Sequence, residues 1–471
     1  MTRLPPRDYV YYTTVRGLCR SCREIVPGRI VFRGSEVWQE QLCHRCGVQA
    51  ALIAGDKEWY LARMSEARLD RSPVPGVLKP HPNRQGCPAD CGPCSWHASP
   101  CQLPVISVTN NCNLRCPICF TYNRPDKIYS MSPAEMRQIV DWVVAASGHS
   151  DVINITGGEP TLHPQIFELI AECRRPEIGR ITLNSNGLLL GQDFHFCERL
   201  AELGVYVILS FNTFSAECSR ALHGQDVVES KLKAIENLTR AGVRMTLLNV
   251  LIRDHNEDDL PKLLDLMRSH DNILSLTIQP MTYTGQGGAS FTPGTHLPVD
   301  VAANLVCQHL RGEIEPSDFV SRPSAHPLCY SLCYLFKLGE RLLPFTRALE
   351  PSELQEKLRQ SYLLRVDDNH SFFTDIVNRL YASNQTTLLP AFKKLIQDLF
   401  PSDRSLSHFE RQRLAESSVR TIYIHAHMDE DTFDCSRAAL CPDLVPCEPG
   451  KLIPACTYNL FYRQRDERFY V

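Results

Sequence analysis

The chain has 471 residues, 43% of them hydrophobic, and a formal net charge of −3. That length allows two or three domains of roughly 100–200 residues each, and the charge gives no global attraction to nucleic acid or anionic lipid. No apolar run approaches the roughly 20 residues needed to span a bilayer. Residues 1–10 carry Arg, Pro and Asp and lack the apolar stretch of an export signal. A cytoplasmic protein is expected, with peripheral membrane contact left open. The 21 cysteines are the strongest compositional signal: 11 precede residue 120, and six more lie from Cys329 to Cys456. Without an oxidising compartment, this two-ended clustering points to metal sites rather than disulfides.

Cys19-x-x-Cys22 and Cys43-x-x-Cys46 bracket two runs, 29–32 and 36–38, that read as a hairpin turning at Gly34-Ser35. Two such knuckles make a four-thiolate site for zinc or a rubredoxin-like iron. Zinc ribbons also bind nucleic acid, but the flanks lack a dense basic stripe, so no nucleic-acid partner is expected. Pro73, Pro75, Pro80 and Pro82 mark residues 66–86 as a linker. Cys87, Cys91, Cys94 and Cys101 follow in a Pro/Gly-rich loop and are expected to hold an auxiliary 4Fe–4S cluster.

The apolar run 105–108 then leads into Cys112-x-x-x-Cys116-x-x-Cys119. Three thiolates hold three irons of a 4Fe–4S cluster and leave the fourth open to a ligand. Candidate strands at 105–109, 152–156, 181–184, 205–210, 245–252 and 274–279 alternate with helical patterns. The helix after the cysteine loop is well signed. Ser132 is its N-cap, Pro133 its first residue, and Glu135 completes a capping box. Met136, Ile139, Val140, Val143 and Val144 form its apolar stripe. Six βα units predict a parallel sheet with helices outside and sites at the C-terminal strand ends.

This combination resembles the radical S-adenosylmethionine (SAM) superfamily. The resemblance implies an α/β fold: a partial (β/α)6 barrel at 104–290, preceded by the metal hairpin (1–65) and the linker with its cluster loop (66–103), and followed by a mainly helical, cysteine-rich region (291–471). It implies that Cys112, Cys116 and Cys119 ligate the SAM-binding cluster. It places Gly157, Gly158, Glu159 and Pro160 at the methionine amino group, and Ser185 and Asn186 at a turn beside SAM. Ser210 and Asn212 would serve ribose or carboxylate, and Asn249 lies in the region that meets adenine or ribose. Ile118 stands where many members carry an aromatic residue. The implied chemistry is reductive cleavage of SAM, with an electron from a ferredoxin- or flavodoxin-type donor. The resulting 5′-deoxyadenosyl radical takes hydrogen from an unactivated carbon.

Beyond residue 298, helical stretches are expected, including an apolar segment opened by 327–333 that reads as a core helix or as a substrate-channel wall, and a charged helical region at 350–412. Cys329, Cys435, Cys441 and Cys456 are the ligand set chosen for a second auxiliary cluster, with Cys333 and Cys447 as further candidates. The order of knuckles, cluster loop, SAM motif, 279–285 and 453–459 looks like one group. That group contains archaeal tetraether lipid synthases and relatives described as dihydropterin methylases. The chain departs from it at Cys43-His44-Arg45-Cys46-Gly47, where relatives often show Cys-x-x-His-Gly. The first expectation is therefore carbon–carbon bond formation on lipid chains, which needs a deep apolar tunnel to the SAM site. The alternative is methylation or modification of a pterin-like small molecule, which needs a compact pocket with polar groups. A non-catalytic iron–sulfur scaffold or electron carrier is the reading from another class.

Overall fold

In this computed structural model the described residues are 7–66, 82, 84–92, 94–121, 127–292, 296–338, 340–344, 346–349, 351–363, 370–382, 384, 387–448 and 450–469. Most of the expected linker, including Pro73, Pro75 and Pro80, lies outside them. Four antiparallel strands open the chain: β1 (Val10–Leu18), β2 (Ile25–Arg33), β3 (Glu36–Cys43) and β4 (Gly47–Ala54). Arg33 pairs with Glu36 across the expected turn, where Gly34 has φ 61. The αL conformation of that tight turn favours glycine.

Six parallel strands follow, with ends within three residues of the expected spans: β5 (Leu103–Ser107), β6 (Ser150–Thr156), β7 (Ile178–Ser185), β8 (Tyr206–Ser210), β9 (Met245–Leu251) and β10 (Ile273–Pro280). Alternate residues face opposite ways. Ile153, Leu183, Val207, Leu247 and Ile278 are fully buried in one large core with the outer helices. The helix Pro133–Ser147 carries the expected box: Ser132 Oγ accepts from Glu135 N at 3.2 Å, and Glu135 Oε2 accepts from Ser132 N at 2.7 Å.

The C-terminal third joins this sheet on both edges. β13 (Val419–His425) pairs parallel with β10, and β14 (Asp443–Glu448) pairs parallel with β5. β11 (Tyr330–Leu338) and β12 (Arg341–Pro344) extend one edge antiparallel, and β15 (Lys451–Pro454) extends the other. The order is β12-β11-β13-β10-β9-β8-β7-β6-β5-β14-β15. The segment expected as a core helix at 327–343 is thus a strand pair. A short continuous apolar run suits a strand buried on both faces as well as a helix, and periodicity does not separate them. Helices do occupy the charged region: Pro351–Gln360, His370–Ala382, Leu389–Leu399 and His408–Ser418.

Candidate active site

Eight consecutive parallel strands, β14-β5-β6-β7-β8-β9-β10-β13, curve around a lumen of about 320 Å³. The two C-terminal strands meet through side chains: His425 Nε2 lies 3.3 Å from Asp443 Oδ2. Arg322, 1% exposed, fixes the segment bearing Tyr362 by donating to the carbonyls of Ser361 (3.1 Å) and Tyr362 (2.6 Å). Inward-facing groups include Asn154 and Thr156 of β6, Asn184 of β7, Thr277 and Gln279 of β10, and His425 and Asp443 at the seam. Apolar patches from Ile208, Leu248 and Val250 separate them.

The cysteine loop crosses the C-terminal ends of these strands. Cys112, Cys116 and Cys119 are in no disulfide, line the lumen and are electrostatic neighbours of one another. Burial pushes the Cys112 and Cys116 thiols up to about 11 and 12. Three thiolates coexist there only when a cation shares them, which fits an iron cluster. The loop is zipped to the glycine turn by Gly158 N–Thr109 O and Glu159 N–Asn111 O, both 2.7 Å. Gly157 has φ 148, and a Cβ there would stand 2.3 Å from Thr109 O; at Gly158 it would stand 2.2 Å from Asn111 O. Only glycine allows this approach.

Glu159 is 1% exposed, and burial raises its pKa. Its carboxylate accepts from Thr161 N (3.2 Å), Thr161 Oγ1 (2.6 Å), Ser185 Oγ (2.9 Å) and Asn186 N (2.7 Å). Asn186 Nδ2 then donates to Asn113 Oδ1 at 2.7 Å, tying this turn to the cysteine loop. The structure therefore brings Cys112, Cys116, Cys119, Gly157, Gly158, Glu159, Ser185 and Asn186 together. Pro160 starts a buried 3-10 turn beside them. Ser210 lines the lumen, while Asn212 is held by Val250 N (2.7 Å) and His223 Nε2 (3.0 Å). Asn249 lies apart. β9 turns Leu248 and Val250 inward, and Asn249 Nδ2 instead donates to the carbonyls of Phe211 and Asn212.

Residues 106–267 match the sequence profile of the Radical SAM superfamily. That match covers the cysteine loop and strands β5–β9, about a third of the chain. Residues 11–55, the β1–β4 unit, match the HMPTM N-terminal zinc ribbon domain. Along 96% of its length the chain is 25% identical to 94% of the 7,8-dihydro-6-hydroxymethylpterin dimethyltransferase of Methanocaldococcus jannaschii. The GTP 3′,8-cyclase of Chlorobaculum tepidum is 32% identical over 37% of this chain and 53% of its own. Among solved structures, Streptococcus suis SuiB bound to precursor peptide SuiA superposes with a TM-score of 0.37 at 20% identity, over 44% of this chain and 45% of that one.

The ribbon thiols Cys19, Cys22, Cys43 and Cys46 converge within 4.8 Å, as ligands of a single ion must. Backbone N–H groups of Cys46 and Arg45 help lower Cys43 to about 7. The other cysteines group differently from their sequence order. Cys87 has Cys435, Cys91 and Cys94 as its neighbours. Cys101 packs instead against the helix Pro133–Ser147 and β14–β15, with Asp443 as its charged neighbour. Cys441 and Cys456 neighbour each other and Cys329, and Arg437 Nη2 lies 3.6 Å from Cys329 Sγ. So Cys435 leaves the expected C-terminal set and stands where Cys101 was expected. Cys333 is fully buried in the large core.

Sequence reasoning missed several lumen groups. Lys231, 2% exposed, donates to Ser210 O at 2.6 Å with Cys116, Glu159 and Cys112 as neighbours; burial lowers it to about 8. His223 is lowered by burial to about 3 and is neutral. His427 stacks on Phe120 at 5.9 Å and lies 3.6 Å from Cys456 Sγ. One signal was available: Asn154/Thr156 on β6, Thr277/Gln279 on β10 and His425/His427 at the end of β13 are polar pairs at period two.

Proposed function

We propose that this enzyme uses a SAM-derived radical to methylate, or otherwise modify at a carbon–hydrogen bond, a pterin-like heterocycle held in the lumen. The observation that carries the reading is the compact lumen ringed by amide, hydroxyl and imidazole groups from six strands. Such a wall suits the hydrogen-bonding edges of a bicyclic ring. Some of these groups already bond one another, as Asn184 with Thr156 and His425 with Asp443, but a long apolar chain would leave their remaining donor and acceptor positions unused, which argues against a lipid substrate. Support comes from the nearly full-length similarity to a protein named as a pterin dimethyltransferase.

In this proposal Cys112, Cys116 and Cys119 hold the SAM-binding cluster. Gly157 and Gly158 let the backbone meet the amino group of SAM, and Glu159 fixes that turn against Ser185 and Asn186. Lys231 sets a buried positive charge between the thiolates and Glu159. Ser210 faces the ribose side, with Asn212 held behind it. A reduced cluster supplies one electron to SAM and so makes a carbon radical able to take hydrogen from an unactivated carbon. The lumen wall positions the substrate and keeps water from the reacting atoms. Cys87, Cys91, Cys94 and Cys435 form one auxiliary cluster site, and Cys329, Cys441 and Cys456 a second. A low-potential ferredoxin or flavodoxin supplies the electron. No helix among the described residues is long and apolar enough to cross a membrane.

The test is anaerobic incubation of iron-reconstituted protein with SAM, dithionite and 6-hydroxymethyl-7,8-dihydropterin, with Cys116→Ala as control. Methylated pterin formed alongside 5′-deoxyadenosine, and lost in the variant, supports the proposal. Deoxyadenosine without any altered pterin, while an ether lipid is consumed, refutes it. No deoxyadenosine from protein of verified iron content would favour the scaffold reading.

A further inference from the structure

Arg463 sits in the helical turn Arg463–Arg465 and lines both the lumen and a second cavity of about 170 Å³ at its mouth. It is 8% exposed, and its Nε and Nη2 have no hydrogen-bond partner among the described residues. Those two nitrogens form one edge of the guanidinium. Arg20, on the same mouth cavity, uses that edge to grip Asp431, with Nε–Oδ1 at 2.8 Å and Nη2–Oδ2 at 2.6 Å. On Arg463 the fork is empty. The nearby carboxylate of Asp466 is already engaged by Arg468 and Tyr458. The rings of Phe469 (4.8 Å) and Tyr458 (6.0 Å) lie against the guanidinium, which offsets only part of its lost hydration. Tyr458, Cys119 and Asp466 are its electrostatic neighbours, but a buried guanidinium edge with unmade hydrogen bonds is costly until a partner arrives.

We propose that Arg463 is an oxyanion-binding site, gripping a phosphoryl-type group of the second substrate as that molecule enters the lumen through the mouth. A guanidinium fork matches two oxygens of a phosphate bidentately. Glu430 stands on the same cavity with Oε1 held by Arg23 and Thr284 and Oε2 unpartnered. That free oxygen takes a hydroxyl of the same ligand. The glycine turn and Ser185–Asn186 line the lumen but not the mouth cavity, so the carboxylate of SAM would reach Arg463 only from its lumen side. Lys231 already offers a cation on that side. The inference goes beyond the heterocycle reading, since a phosphorylated small molecule and a phospholipid headgroup carry the same group.

Isothermal titration of iron-replete protein tests this with three probes: inorganic phosphate, a phosphate ester of a hydroxymethylpterin, and dihexanoyl phosphatidylglycerol below its micellar concentration. Arg463→Gln should weaken binding of the preferred probe by about 10- to 100-fold, the range for losing charge-assisted hydrogen bonds. Arg463→Lys should recover only part of it, and SAM affinity should change less than about twofold. Preference for the pterin ester identifies a small-molecule source, and preference for the lipid a headgroup. Equal binding by wild type and Arg463→Gln, no binding of any probe to wild type, or a selective loss of SAM affinity overturns the proposal. Unchanged iron content and thermal midpoint in both variants separate these outcomes from misfolding.

Discussion

Glu159→Gln is the sharpest test of how the glycine turn is held. The substitution is nearly isosteric, so it adds no bulk. Glu159 accepts four hydrogen bonds, three at Oε1 and one at Oε2. A glutamine replaces one acceptor by an amide group that only donates. Placed at Oε1, that group meets three donors. Placed at Oε2, it faces only Asn186 N–H, which sits 2.7 Å from the oxygen it replaces. The second arrangement is the cheaper, and it leaves one buried N–H unpaired, at about 1–3 kcal/mol. Expressed wholly in binding, this weakens SAM by about 5- to 150-fold. The route is short, since Asn186 also bonds Asn113 of the cysteine loop. Equilibrium dialysis with SAM on iron-replete protein, together with the thermal midpoint, reads both destinations of the energy. SAM affinity within twofold of wild type at an unchanged midpoint would refute the reasoning.

Cys435→Ala should lose roughly four irons per chain, one cluster's worth, whereas Cys101→Ala should keep its iron; matched iron analyses decide. His296 Nε2 lies 2.8 Å from Asp429 Oδ2; burial opposes its charge, but Asp429 outweighs burial and raises its pKa above 6.5, while His296 in turn depresses Asp429. The stabilisation from this pair is complete below pH 6.5 until Asp429 protonates in strong acid, and it fades as pH rises through the raised histidine pKa. The thermal-midpoint gap between wild type and His296→Asn should therefore narrow above neutrality, and a gap that widens contradicts this. Arg20 and Arg23 flank the ribbon knuckle and hold Asp431 and Glu430. Cys22→Ser should thus speed amide exchange across 428–434 by about tenfold or more, with the strands β6–β9 unchanged.

The sequence by itself determined the six parallel strands, the first outer helix and the glycine turn. Those signals are local: a capping box, an apolar stripe, three cysteines in eight residues, and two glycines at a strand end. Each depends on neighbours within a turn or two of chain, so spacing reveals it. Tertiary structure decided the rest. The pairing of β13 and β14 with opposite edges of one sheet joins residues more than 100 positions apart, and no local pattern encodes it. That closure puts Cys435 beside Cys87, moves Cys101 away, and turns the apolar run after Cys329 into a strand. It also creates the lumen, where His425 meets Asp443 and one edge of Arg463 is left without a hydrogen-bond partner among the described residues. Whether a polar side chain is satisfied or waiting for a ligand is a property of its three-dimensional surroundings. For that reason the cluster loop was legible in the chain, while the substrate-facing wall was not.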